Sequence, residues 1–143
     1  MDTKKSHIKK SECPIAHALD IIGDRWTLII IRELMFFEKH EFGELLNVPE
    51  KISTNILTDR LKKLTFLDVI NCIEHPDNKT KKLYYLTETG LGMVNIMVDV
   101  ILWAEKYLVT VPTNPIIESI KERPNEFIEQ VTCVVRKWKK DNL

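Results

Sequence analysis

The stretch ISTNILTDRLKKLTFLDVI, residues 52–70, interleaves two kinds of chemistry. Ile56, Leu57, Leu61 and Leu64 recur three to four residues apart, which is one apolar stripe of a helix. Around them stand Ser53, Thr54, Asn55, Thr58, Arg60, Lys62 and Lys63, which donate and accept hydrogen bonds and pair with anions. Any solvated helix carries a polar face, so the surface alone does not decide between water and a ligand. If the ligand is a nucleic acid, side chains in the N-terminal half of the helix reach base edges in a major groove. Thr54, Asn55 and Thr58 are then the expected base contacts. Ser53 sits at the helix start, where free backbone N–H groups favour a phosphate. Arg60, Lys62 and Lys63 would lie on phosphate or the groove edge, and Lys51 would clamp a phosphate just before the helix.

Cys13 is a second candidate. It is placed to N-cap a helix begun by Pro14, where the partial positive charge of the helix end favours thiolate. His17 follows one turn on and adds charge when protonated. The plain alternative is a small buried hydrophobe, a frequent fate of free cysteine. No acid orients the histidine for catalysis and no oxyanion-forming turn accompanies the pair, so an enzyme is not expected. A metal is not expected either, because Cys13, His17 and His7 leave a tetrahedral site one ligand short. No cofactor is implied.

These groups need elements to hold them. CPIAHALDIIG reads as a first helix ending at Gly23. Asp24 then caps a core helix through RWTLIIIRELMF, with Trp26, Ile29, Ile30, Leu34 and Phe37 at helical spacing. FGELLN is a short third helix, and after VPEK the stretch from Ser53 completes a helix-turn-helix. The period then changes. DVINCIEH and KLYYLT are rich in β-branched and aromatic residues, and PDNKTK between them has turn chemistry. A hairpin follows, with a basic tip spanning residues 75–82. Its Lys79, Lys81 and Lys82 suit a neighbouring minor groove. Thr87 is placed to cap ETGLGMVNIMVDVILWAEKYL, which carries more apolar surface than one narrow stripe and calls for a partner chain. Pro112 and Pro115 end that helix, and Pro124 splits the tail into a short and a longer helix.

The chain has 143 residues and no net charge, 44% hydrophobic and 29% charged residues, which fits about one globular domain. The neutrality hides a segregation. Residues 12–50 hold three basic residues against eight acidic ones, whereas residues 51–63 hold four against one, and the first ten hold four lysines against Asp2. A neutral protein of this kind still offers a local positive field to a polyanion. Three widely spaced cysteines and a polar N-terminus without an apolar core predict reduced thiols and a cytoplasmic protein.

Together, CPIAHALDIIGDRWTLIIIREL, ISTNILTDRLKKL and YYLTETG resemble, in this order, the opening, recognition helix and wing end of the HxlR-type regulators. These are winged-helix transcription factors related to the MarR superfamily, and the resemblance covers residues 13 to about 108. It implies a mainly α fold with a small β-hairpin, a winged helix-turn-helix with additional N- and C-terminal dimerisation helices. By this reading residues 1–12 form a basic arm, 13–108 the winged domain with its dimerisation helix, and 109–143 a helical extension. The resemblance further implies a homodimeric repressor or activator on double-stranded, pseudo-palindromic DNA, with a sensory role for Cys13. An oxidant or electrophile at that thiol and a hydrophobic small molecule between the dimer helices are competing switches between which the sequence does not choose. A winged-helix module that docks a protein instead of DNA is the alternative, suggested by the acidic first third and the long tail.

Overall fold

The computed structural model describes residues 11–108, 112 and 114–143. The basic arm expected at the N-terminus lies, up to residue 10, outside the described residues. Contacts divide the chain into two units, one ending at Thr87 and one running Glu88–Leu143.

In the first unit, α1 (Pro14–Ile22) and α2 (Thr27–Phe36) lead to α3 (Phe42–Leu46), α4 (Thr54–Phe66) and an antiparallel hairpin of β1 (Ile70–His75) and β2 (Asn78–Leu86). Each start has a local cause. Pro14 stands at the first position of α1, and a Cβ at Gly23 would collide with the Leu19 carbonyl oxygen, so only glycine closes that helix. Asp24 Oδ2 accepts the amides of Trp26 and Thr27, and Ser53 Oγ accepts that of Ile56, so both expected caps are made. Ile30, Ile31, Leu34 and Met35 of α2, Leu57, Leu61 and Leu64 of α4, Val69 just before β1, and Ile70 and Leu86 of the hairpin are all buried in the core. Phe37, expected there too, is 47% exposed, because α2 ends at Phe36 and the next residue leaves the helical spacing.

The hairpin is tighter than its composition suggested. Its turn is Pro76–Asp77, and β2 starts at Asn78, four residues before the KLYYLT stretch. His75 pairs with Asn78 and Glu74 with Lys82, so residues 79–81 bulge out of register on the second strand. Asn78 Oδ1 fastens that bulge by accepting the amide and hydroxyl of Thr80.

The second unit packs α6 (Val94–Tyr107) with α7 (Pro115–Glu122) and α8 (Pro124–Asn142), preceded by the short α5 (Glu88–Leu91). Val94, Met97 and Val98 are buried with Ile117, Ile120, Val131 and Val135, and Pro124 divides the tail as its position predicted. The single helix expected from residue 88 is broken at Gly92. The Thr87 hydroxyl donates to the carbonyls of Asp68 and Val69, at 2.6 and 2.9 Å, closing the base of the hairpin. No helix among the described residues is long and apolar enough to cross a membrane.

Candidate nucleic-acid interface

Helix α4 is held at its entry and along one flank. Before it, Lys51 adopts a left-handed backbone at φ 61°, unusual for a residue with a side chain, and its amide donates to Val48 O at 3.0 Å. Glu50 beside it accepts both terminal nitrogens of Arg32, at 3.0 and 2.8 Å. Arg32 also reaches Glu33, a buried carboxylate that Lys39 approaches to 2.7 Å on its other oxygen. The Arg32 guanidinium holds the Glu50 carboxyl below the usual carboxylate range. This network fixes the turn between α3 and α4, so Glu50 of VPEK and Arg32 and Glu33 of α2 are structural.

The polar residues of α4 do not share one face. At about 100° per residue, Thr54, Asn55, Thr58 and Lys62 fall within about 100° of one another. Thr54, Asn55 and Lys62 are exposed and Thr58 is half-buried. The first amides of the helix have no acceptor of their own along it, apart from the Ile56 amide that Ser53 takes. Arg60 falls about 120° or more from each of those four residues. Its Nε donates to Asp24 Oδ2 at 2.8 Å and its Nη1 to Asp59 Oδ2 at 2.5 Å. Lys63, on the same flank, donates to the Asp20 carbonyl at 2.8 Å. Partial burial pushes the Asp24 carboxyl up. The Thr27 hydroxyl, the Arg60 guanidinium and the Trp26 amide outweigh that and lower its pKa to about 2. Angular position, rather than the run of polar residues, was the signal in the sequence that separated Arg60 from the outward face.

On the hairpin, Lys79 and Lys82 are exposed, and Lys81 lies 3.6 Å from Glu41 Oε2. Glu41 also faces His75 Nε2 at 3.2 Å, caps α3 and bridges to Leu83. His40 adds a second clasp. Its backbone carbonyl accepts the Tyr84 amide at 2.8 Å, and its Nδ1 meets the Tyr84 carbonyl at 2.7 Å. Burial pushes the His40 pKa down, so the ring donates as a neutral imidazole around neutral pH. The hairpin is therefore anchored at its base and carries its lysines on β2 rather than on a loose tip.

Cys13 is exposed at the start of α1, its amide donating to Ser11 Oγ at 3.1 Å. His17 Nε2 is taken by the Ser11 carbonyl, so the ring does not turn its Nε2 to the thiol. Cys133 is exposed on α8, and Cys72 stands in β1.

The sequence pattern of the HxlR-like helix-turn-helix family matches residues 21–111. An HTH-type transcriptional regulator of Mycobacterium tuberculosis is 32% identical over 97 residues, 66% of this chain. The match spans 58% of that relative's length. The HTH-type transcriptional regulator YodB of Bacillus subtilis is 30% identical over 96 residues, 66% of this chain and 85% of its own. Among solved structures, the crystal structure of a candidate transcription factor superposes with a TM-score of 0.65 at 29% identity, covering 76% of this chain and 74% of its own.

Proposed function

Because the chain belongs to the HxlR-like helix-turn-helix family, whose pattern spans residues 21–111, we propose that it is a sequence-specific DNA-binding transcriptional regulator acting as a homodimer. The observation that carries this reading is the outward face of α4. Its hydroxyl, amide and ammonium groups gather within about 100° of the helix surface, beside the buried stripe that seats the helix. In this reading Thr54, Asn55 and Thr58 read base edges, while Ser53, Lys51 and Lys62 meet phosphate near the free amides of the helix start. Lys79 and Lys82, with Lys81 when it leaves Glu41, follow the backbone into the adjacent minor groove. Two such helices on a pseudo-palindrome place half-sites about one helical turn or a multiple of it apart.

The alternative, a module that docks a protein, drew on the acidic first third. Asp24, Glu33, Glu41 and Glu50 in that third are engaged with Arg60, Arg32, Lys39, His75 and Lys81 of the same unit. Much of that acidity is spent inside the fold, which favours the DNA reading.

The test is a pair of substitutions on the outward face. Lys62→Ala weakens binding to every sequence and reduces the slope of log affinity against log salt by about 0.9, one phosphate's worth. Asn55→Ala leaves that slope alone and relaxes preference at one base position, a discrimination worth roughly 1–3 kcal/mol. Parental affinity, slope and preference in both variants would remove α4 from the groove.

Exposure of Cys13 at a helix start supports a thiol switch, with an oxidant or electrophile as effector. Such a reagent then lowers the DNA affinity of the parent and leaves Cys13→Ser unaffected. An equal change in both proteins would assign the response to another group, such as a small-molecule site between dimer helices.

A further inference from the structure

Arg60 points away from the face just assigned to DNA, and both it and Lys63 are engaged with the ends of the preceding helices. Arg60 Nε donates to Asp24 Oδ2 at 2.8 Å, the same oxygen that accepts the Trp26 and Thr27 amides at 2.9 and 3.0 Å. Asp24 Oδ1 takes the hydroxyl of Thr27, a residue with no exposed surface, at 2.5 Å. One carboxylate therefore caps α2 and holds α4. Three residues along the same flank, Lys63 donates at 2.8 Å to the carbonyl of Asp20 in the last turn of α1. The last carbonyls of a helix lack partners and carry partial negative charge, so an ammonium is favoured there.

We infer that Arg60 and Lys63 are positioning residues: they fix the rotation of α4 about its own axis by tying one flank to the α1–α2 corner, and they do not contact DNA. The inference rests on the DNA-binding reading above for its functional consequence, and on the ion pair for its structural one. The geometry gives the reason. The core stripe of Leu57, Leu61 and Leu64 keeps α4 seated, but apolar packing is non-directional, and a turn of some tens of degrees about the axis would swing Thr54 and Asn55 off the bases. Directional bonds from the flank, to an acceptor itself pinned by two backbone amides, oppose that turn. A groove-facing Arg60 would instead have to leave Asp24 and give up a partly buried, charge-assisted bond, with 25% of its side chain exposed and 20% of that of Asp24.

The two roles separate by salt. A phosphate contact carries a counterion term, whereas a positioning contact does not. The experiment compares the parent, Asp24→Asn, Arg60→Gln and the double variant on one selected DNA duplex across a salt series, with amide hydrogen exchange of α4 in the free proteins. Asn retains an oxygen for the α2 cap, so the fold stands. The expected result is a loss of affinity of roughly tenfold in each single variant, no further loss in the double, and the parental salt slope throughout. Faster exchange over residues 57–66, whose amides are bonded along the helix, accompanies it in both single variants. A slope lowered by about 0.9 in Arg60→Gln, with parental affinity in Asp24→Asn, would make Arg60 a phosphate contact and overturn the inference. So would parental α4 exchange in both single variants. If the parent itself shows no salt-dependent affinity for DNA, the function proposed above fails, and the exchange data still decide whether the tie holds α4.

Discussion

Replacing Val100 and Trp103 together by glutamate is expected to leave a folded monomer whose affinity for its DNA falls by roughly a hundredfold or more. Ile96, Val100, Trp103 and Tyr107 recur at intervals of four, three and four residues along α6, and they are 41, 47, 57 and 59% exposed. That is a continuous apolar stripe, with the Trp103 and Tyr107 rings 5.9 Å apart, on the side of the helix opposite the buried Val94, Met97 and Val98. A monomer in water gains nothing from such a stripe, whereas a second copy related by a two-fold axis would bury both at once. On α1, Ile15 and Leu19 are likewise 70 and 55% exposed, and no residue of that helix is buried. Glutamates at Val100 and Trp103 would face their own images across the axis and add repulsion to lost burial. Because these side chains contribute little to the core of their own unit, the fold should survive. Affinity falls because the second half-site no longer binds as an intramolecular event. Light scattering and an anisotropy titration read the two effects together. A variant that stays dimeric, or a monomer that binds like the parent, would contradict the assignment of α6.

The second large effect is on stability. Leu57→Ala should cost about 3 kcal/mol, within the range for leucines truncated in a close-packed core. Leu57 has no exposed surface, and it lies one turn before Leu61 on the stripe that seats α4. Thr54→Ala, three residues earlier on the exposed side, should change stability by no more than about 0.5 kcal/mol. Urea unfolding of both variants, read at equal slope, makes the comparison. Equal costs at the two positions would mean that α4 is rotated from the orientation described, and the outward face would need reassignment.

How much of this was legible in the sequence depends on the range of the interactions involved. Helix existence and caps are local, so Pro14, Asp24, Ser53 and Pro124 marked their elements correctly, and three- to four-residue spacing found the α4 stripe. The start of β2 was missed because Asn78, Lys79, Thr80 and Lys81 read as a turn. Pairing to β1 across the hairpin decides the strand, and propensity does not. That the Thr87 hydroxyl closes a contact 18 and 19 residues back was not visible either, because its partners are remote in sequence. The tie of Arg60 to Asp24 was invisible for the same reason. The two are 36 residues apart, and nothing in the neighbourhood of Arg60 announces it. The excess of apolar surface on α6 was visible. Which residues stay bare was not, because that follows from how α7 and α8 cover Val94, Met97 and Val98. The match to the family ends at residue 111, so both of those covering helices lie beyond it.

The central claim is that the outward face of α4 engages DNA, and its most direct measurement is a fluorescence anisotropy titration of the reduced protein on DNA from upstream of its own and the adjacent gene, repeated across a salt series. The account predicts tight binding to one fragment, weakening steeply and linearly on a log–log salt plot, as released counterions require. Binding that is weak, indifferent to the fragment and insensitive to salt would contradict it, and would return the α6 stripe and the helical tail to the protein-docking alternative.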